Sequence, residues 1–379
     1  MGIEDFAAAA DDFGHIVHRL PSAVIKPADT ADVIAALKLG LPVVARGHGH
    51  TTGGQAQSAG GIVLDMTGMA TVHDVADDRI TVDAGCTWRS VLAAAPGRTP
   101  PVLTDYLAVT VGGTLSAGGI GGTSHRYGVQ TDNVLALNVV RHDGTEVACS
   151  PTVEPDVFHQ ALAGYGKAGI IMRATLRLIP APAMVRRHVL HCPTAAARAA
   201  DQRKLIAANE FAHVQGQIIA GEDGWLHLLE VGAYDSDDDT LGGETTDLSY
   251  VEFADRLADG EAFLRQTGEW LHPHPWWNAF LPDSTVDDFM ARLLDNLTPA
   301  ALGPSGLVLT YPIHTAPLHT PQFLVPSEPV VWLVALLRTA TQEELTNMLA
   351  DNDYWYDEAI SAGGTIYPIG TLPTARPAP

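Results

Sequence analysis

The residues best placed to do chemistry stand in Ala45-Arg-Gly-His-Gly-His-Thr-Thr-Gly-Gly-Gln-Ala-Gln57, where two glycines bracket a histidine pair just after the apolar run Leu41–Ala45. Glycine lets backbone N–H groups approach a ligand that a side chain would push away, so the segment suits a phosphate-bearing molecule with a reactive imidazole beside it. A second cluster, Val111-Gly-Gly-Thr-Leu-Ser-Ala-Gly-Gly-Ile-Gly-Gly122, superficially suggests a nicotinamide-type fingerprint. That fingerprint requires a strand immediately before, a helix immediately after, and an acid at the end of the next strand. Here Gly121-Gly122-Thr-Ser-His-Arg reads as continuing loop, and Asp132 precedes its strand. One long ligand lying between two glycine-rich loops of a single lobe explains both clusters; tight turns alone would explain either one.

Other candidates read more plainly. His272-Pro-His274-Pro has no third ligand in view, so a metal site is not expected. Trp276 and Trp277 suit core packing more than a stacking platform. Taken by itself, His50 also fits a loop histidine bonded to backbone, and Asp105, in the loop Thr104-Asp105, fits a turn cap.

The elements that must position these residues are legible from pattern. Strands are expected at Leu41–Ala45, Gly61–Asp65, Arg79–Asp83, Val134–Val140 and Glu146–Cys149, with Asp143-Gly144 turning the last two into a hairpin. A helix follows Pro27, with Asp29 or Thr30 as its N-cap. Ile170–Leu178 reads as a strand that ends in Ile179-Pro-Ala-Pro-Ala183, where a lobe boundary is expected. Beyond it the pattern predicts a helix over Ala195–Ala208, strands at His213–Ala220 and Trp225–Tyr234, and an acidic loop over Asp235–Asp247. One helix over Tyr250–Thr267, an aromatic segment Trp270–Pro282, buried strands at Leu307–Tyr311 and Val330–Leu337, and a helix over Gln342–Ala362 complete it. Strands and helices mix without a βαβ rhythm, so the fold class expected is α+β.

Bulk properties narrow the partners. The chain has 379 residues, 46% of them hydrophobic, enough for a large core divided into two lobes. Lys plus Arg total 22 against 44 Asp plus Glu, a net charge of −22 that opposes attraction to nucleic acid or an anionic membrane. Any phosphate is therefore to be held by local backbone donors. Three cysteines without metal-type spacing do not suggest a disulfide framework. Met1–Asp12 lacks the character of a signal peptide and no segment is apolar enough to span a bilayer, so a cytoplasmic protein is expected.

These residues resemble the FAD-linked oxidoreductases of the vanillyl-alcohol-oxidase type, with a PCMH-type FAD-binding domain, and within them the cytokinin dehydrogenases. Arg46-Gly-His-Gly-His-Thr51 with Gln55 resembles the family's Gly-Arg-Gly-His-Ser segment. Thr104-Asp-Tyr-Leu-Ala-Val-Thr-Val-Gly-Gly-Thr-Leu-Ser116 is similar to its Trp-Thr-Asp-Tyr-Leu and Thr-Val-Gly-Gly-Thr-Leu-Ser blocks, and Arg126–Asn133 continues the likeness. Asp201-Gln-Arg-Lys-Leu-Ile206, Pro273-His-Pro-Trp276 and Leu309-Thr-Tyr-Pro312 extend it through the second lobe.

The resemblance implies an FAD-binding domain over residues 1–180 and a substrate domain over 181–379, the latter an antiparallel sheet flanked by helices. It implies FAD joined covalently to His50, with contacts from Gly47, His48, Gly49, Thr51, Gln55, Asp105, Thr110, Ser116, Ile120, Ile171 and Tyr367. No cysteine lies between Cys86 and Gly112, so the double link of berberine-bridge-type relatives is not expected. Asp105 would bind the secondary amine of an N6-substituted adenine and act as base, with Glu261 as a pocket glutamate; the imine formed would hydrolyse to adenine and an aldehyde. A quinone or oxygen would take the electrons.

Leu103 replaces the family's tryptophan and Leu318 an aromatic of plant members, while Gly364–Pro379 shows no counterpart of the family's last helix and Ser-Pro-Gly-Gln segment. Two alternatives therefore stay open: an FAD-linked oxidase or cyclase acting on an alcohol or natural-product intermediate, and a flavin-binding protein with little turnover.

Overall fold

A computed structural model describes residues 3–222, 224–236 and 239–372. The chain divides into two compact units. The first holds Met1–Ile120, Val129–Ala181 and His319–Phe323; the second holds Gly121–Gly128, Pro182–Leu318 and Leu324–Pro379.

In the first unit, strands Ala23–Ile25 and Val43–Arg46 flank Ile62–Asp65 in parallel, and Ile62, Val63 and Leu64 are fully buried. A strand enclosed on both faces reads as a continuous apolar run, as this one does. Helix Thr30–Leu37 starts where the Asp29 side chain accepts from Asp32 N, and packs Val33 and Ala36 onto the same core. Five antiparallel strands follow in the order Val72–Val75, Arg79–Asp83, Ile170–Arg177, Val134–Val140, Glu146–Cys149.

The second unit is built on eight antiparallel strands ordered Glu244–Ser249, Met184–Cys192, Gly224–Tyr234, His213–Gly221, Leu307–His314, Val330–Leu337, Trp277–Pro282, Thr365–Ile366. Helices Val286–Asn296 and Gln342–Ser361 add Phe289, Leu293, Trp355 and Tyr356 to a core shared with Trp277, Trp332 and Val334. Helix Ala195–Ala208 lies over the strands His213–Gly221 and Gly224–Tyr234.

Several expectations are corrected. The acidic stretch Asp235–Asp247, part of which lies outside the described residues, includes most of an edge strand, Glu244–Ser249. Its pairing with Met184–Cys192 is long-range and overrides a local composition that favours loop. The expected helix over Tyr250–Thr267 is two helices, Tyr250–Ala254 and Leu257–Thr267, the first opened by a capping box between Ser249 and Glu252. The proline-rich aromatic segment contains the fully buried strand Trp277–Pro282, tolerated because Pro282 is its last residue. Likewise Leu307–His314 runs through Pro312, which lies beyond the point where pairing with His213–Gly221 ends at Thr310. The second glycine cluster is not confined to one lobe: Gly121–Gly128 belongs to the second unit, and Ser124–Tyr127 forms a helical turn there.

Candidate active site

The Arg46–Gln55 loop leaves the end of strand Val43–Arg46 and is shaped by its glycines. Gly49 has φ +66°, and a Cβ there would run into the Arg46 guanidinium; a Cβ on Gly47 would run into the Thr110 hydroxyl. The two glycine-rich segments therefore touch at Gly47 and Thr110. His48 is exposed and bonds through Nδ1 to Ala108 O at 2.6 Å, stapling the loop to the 104–110 segment. His50 packs its ring against Phe13, at 4.3 Å between centroids, and against Tyr106, at 4.6 Å.

Support comes from behind the loop. Asp12, 3% exposed, accepts from the Thr51 hydroxyl at 2.8 Å, Gly54 N at 2.7 Å and Gly14 N at 3.0 Å. Burial raises its pKa above the ordinary carboxylate value, against the pull of those donors and of Arg46. Burial also lowers the Arg46 pKa, and its Nη1 is enclosed without an acceptor among the described residues. Gln55 Oε1 accepts from Gly53 N at 2.9 Å and closes the far end of the loop.

Asp105 is half-buried in the same segment as Tyr106, and Thr104 Oγ1 donates to Tyr106 O at 3.1 Å. Thr110 then caps helix Val111–Leu115 by accepting from Gly113 N at 3.3 Å, and Ser116 Oγ donates to Gly112 O at 2.7 Å. Gly118 and Gly119 follow with positive φ. Gly119 packs against Gln130, 2% exposed, whose amide oxygen and nitrogen have no partners among the described residues. Ile120 and Ile171 are buried, Ile171 in strand Ile170–Arg177 opposite Val139.

The first unit thus gathers Gly47, His48, Gly49, His50, Thr51, Gln55, Asp105 and Thr110 in one place. Tyr367 belongs to the second unit, where it is buried against Phe280 and donates its N–H to Asn278 O. Glu261 stands on helix Leu257–Thr267, which has no buried side chain, and accepts from Arg265 Nε at 2.8 Å.

Some site residues escaped sequence reasoning. Asp12, Phe13 and Arg46 support the histidine from distant or unremarked positions. In the second unit, Asn278 is 2% exposed and its buried Nδ2 has no acceptor among the described residues. Its signal was a lone polar residue in the run Trp277–Pro282. Trp277 is core, stacked on Phe289 at 5.7 Å, whereas Trp276 is half-buried.

Residues 21–150 match a family model described as an FAD binding domain, and residues 243–362 match one described as cytokinin dehydrogenase 1, FAD and cytokinin binding. The chain is 40% identical over 387 residues to an uncharacterized oxidoreductase of the fasciation locus of Rhodococcoides fascians, covering 97% of this chain and 88% of that protein. It is 36% identical over 400 residues to cytokinin dehydrogenase 10 of Oryza sativa subsp. japonica, covering 88% and 72%. Cytokinin dehydrogenase 4 of the same plant is 34% identical over 402 residues, covering 90% and 76%.

Proposed function

Because the chain belongs to the FAD-dependent oxidoreductases of the cytokinin dehydrogenase family, we propose that it oxidises the secondary amine of an N6-substituted adenine, with FAD joined to His50 and Asp105 as the base. The observation that carries this reading is that Tyr106, the neighbour of Asp105, packs its ring on His50. The candidate base and the candidate anchor are thereby held in one small region of the first unit.

The residues fit the cofactor. Glycine backbone stands where side chains would collide at Gly47 and Gly49, and the buried Arg46 Nη1 and Gln130 amide are polar groups with no partner among the described residues. Gly47, Gly49, Thr51, Gln55, Thr110 and Ser116 would hold FAD chiefly through backbone and hydroxyl groups, and Ile120 and Ile171 through apolar contact. When bound, FAD supplies the two-electron acceptor.

Asp105 accepts a hydrogen bond from the substrate N–H and would take its proton as the adjacent carbon gives up a hydride, for which bound FAD would be the acceptor, so that the C–N bond becomes double. The imine then adds water and separates into adenine and an aldehyde. Glu261 contributes to substrate binding, and a quinone or oxygen removes the electrons.

The test is incubation of purified protein with isopentenyladenine and an artificial electron acceptor. Adenine is the expected product, and Asp105→Asn lowers kcat/KM by about 100-fold or more. Absence of adenine despite full flavin loading overturns the substrate reading. Turnover of an alcohol that survives Asp105→Asn would replace it with an alcohol oxidase. Acid precipitation leaves a yellow pellet from the wild type and a colourless one from His50→Ala if the link is through His50.

A further inference from the structure

We propose that Asp12-Phe13-Gly14, braced by Arg46, is a clamp that sets His50 for covalent joining to the flavin, with Asp12 as the positioning residue; the inference rests on the His50 reading above. The carbonyls of Gly49 and Thr51, the residues on either side of His50, are held by this triplet. Phe13 N donates to Gly49 O at 2.9 Å and Gly14 N to Thr51 O at 3.0 Å. Between these two bonds the Phe13 ring lies on the imidazole at 4.3 Å.

Asp12 secures the next turn of the loop by accepting from the Thr51 hydroxyl and Gly54 N, and a Cβ on Gly14 would collide with the Thr52 backbone. Arg46 occupies the space beneath Gly49 and is drawn to Asp12 by charge. Hydrogen bonds to a buried carboxylate are the stronger kind, and two peptide anchors leave His50 little backbone freedom.

That rigidity matters for joining more than for binding. Joining replaces a C–H bond of the flavin 8α-methyl group and the imidazole N–H bond with one C–N bond. The two protons and two electrons released pass to dioxygen, which becomes hydrogen peroxide. Bond formation demands close alignment of the imidazole nitrogen with the methyl carbon, and a misplacement of about 1 Å costs about 100-fold in rate. Reversible binding, spread over many backbone contacts, tolerates it.

The experiment compares wild type, Asp12→Asn and Phe13→Leu as isolated holoproteins, measuring total FAD per chain and the share that stays with acid-precipitated protein. The expected result is retained total FAD with an acid-stable share lowered about tenfold in both variants. Prolonged aerobic incubation with FAD then raises that share slowly. An unchanged share in both variants overturns the clamp. So does loss of total FAD in step with the unfolding temperature at an unchanged acid-stable share, since that marks a purely structural role. No acid-stable flavin in the wild type instead overturns the His50 reading itself, and the clamp with it.

Discussion

The loop that carries His50 and the sheet of the second unit both bury polar groups, but they hold them by different means. Around His50 the bonds run largely to backbone: Phe13 and Gly14 N–H groups to loop carbonyls, the Gly54 and Gly14 N–H groups to Asp12, His48 to Ala108 O. In the second unit the bonds run between charged side chains. Glu230, 3% exposed, accepts from Arg187 Nε at 2.7 Å and Arg256 Nε at 3.0 Å, with His213 at 3.5 Å, and Gln215 takes a further Arg256 donor. The first arrangement leaves Arg46 Nη1 without an acceptor among the described residues; around Glu230 the carboxylate is satisfied from three sides. A buried polar group without a partner calls for an explanation, a bound ligand among them, whereas a buried charge met by opposite charges is a fastening.

The comparison breaks most visibly at Glu230. Burial opposes its ionisation, yet Arg256, His213 and Arg187 hold its carboxyl well below the usual range. Glu230→Gln leaves the partly buried Arg187 and Arg256 guanidinium groups without their buried carboxylate and is expected to cost about 3–5 kcal/mol in urea unfolding at neutral pH.

Next comes His125, whose Nδ1 faces Gly122 O at 3.0 Å and Nε2 Phe211 O at 3.3 Å. A neutral ring can donate to only one of these carbonyls. Even so, burial and then Arg126 lower its pKa from 6.5 to about 4. Since the folded pKa lies below the unfolded one, its stability contribution is complete above pH 6.5 and is lost as pH falls toward 4. The loss amounts to about 3 kcal/mol. Unfolding at pH 7 and pH 4.5 should show His125→Gln losing less stability on acidification than wild type.

The backbone-held side is tested by Gly49→Ala, which must adopt a positive φ and displace Arg46. An expected cost of about 1–3 kcal/mol in unfolding should come with reduced FAD occupancy read by absorbance. Smallest is Glu261→Gln. It removes an i, i+4 pair with the partly exposed Arg265, so stability should stay within about 0.5 kcal/mol while KM for the adenine substrate reports its proposed role.

Where local chemistry decides structure, the sequence was readable. Arg79–Asp83, Val134–Val140, Glu146–Cys149 and Ala195–Ala208 have the ends expected, because Asp143-Gly144 turns the chain with Gly144 at φ +84° and Thr194 caps Ala197 N. Strand Glu244–Ser249 was hidden, since only its register with Met184–Cys192 makes it a strand. Of the candidate site, the glycines and the histidine pair could be singled out by type and spacing, whereas Asp105 stood out only through the family resemblance. Asp12 could not, because its partners Thr51 and Gly54 are remote in the chain and an isolated aspartate carries no mark of them.

The strap His319–Phe323 has a consequence for how this protein can be made. Its His319 and Thr320 N–H groups and the Thr320 hydroxyl all bond Asp132 Oδ1 at 2.8 Å, within the first unit. A ribosome must therefore have released residues well past the second unit's first strands before the first unit can be completed. Truncation at Ala181 would deprive Asp132 of all three donors, so dissecting the protein into halves requires grafting the strap rather than cutting at the boundary.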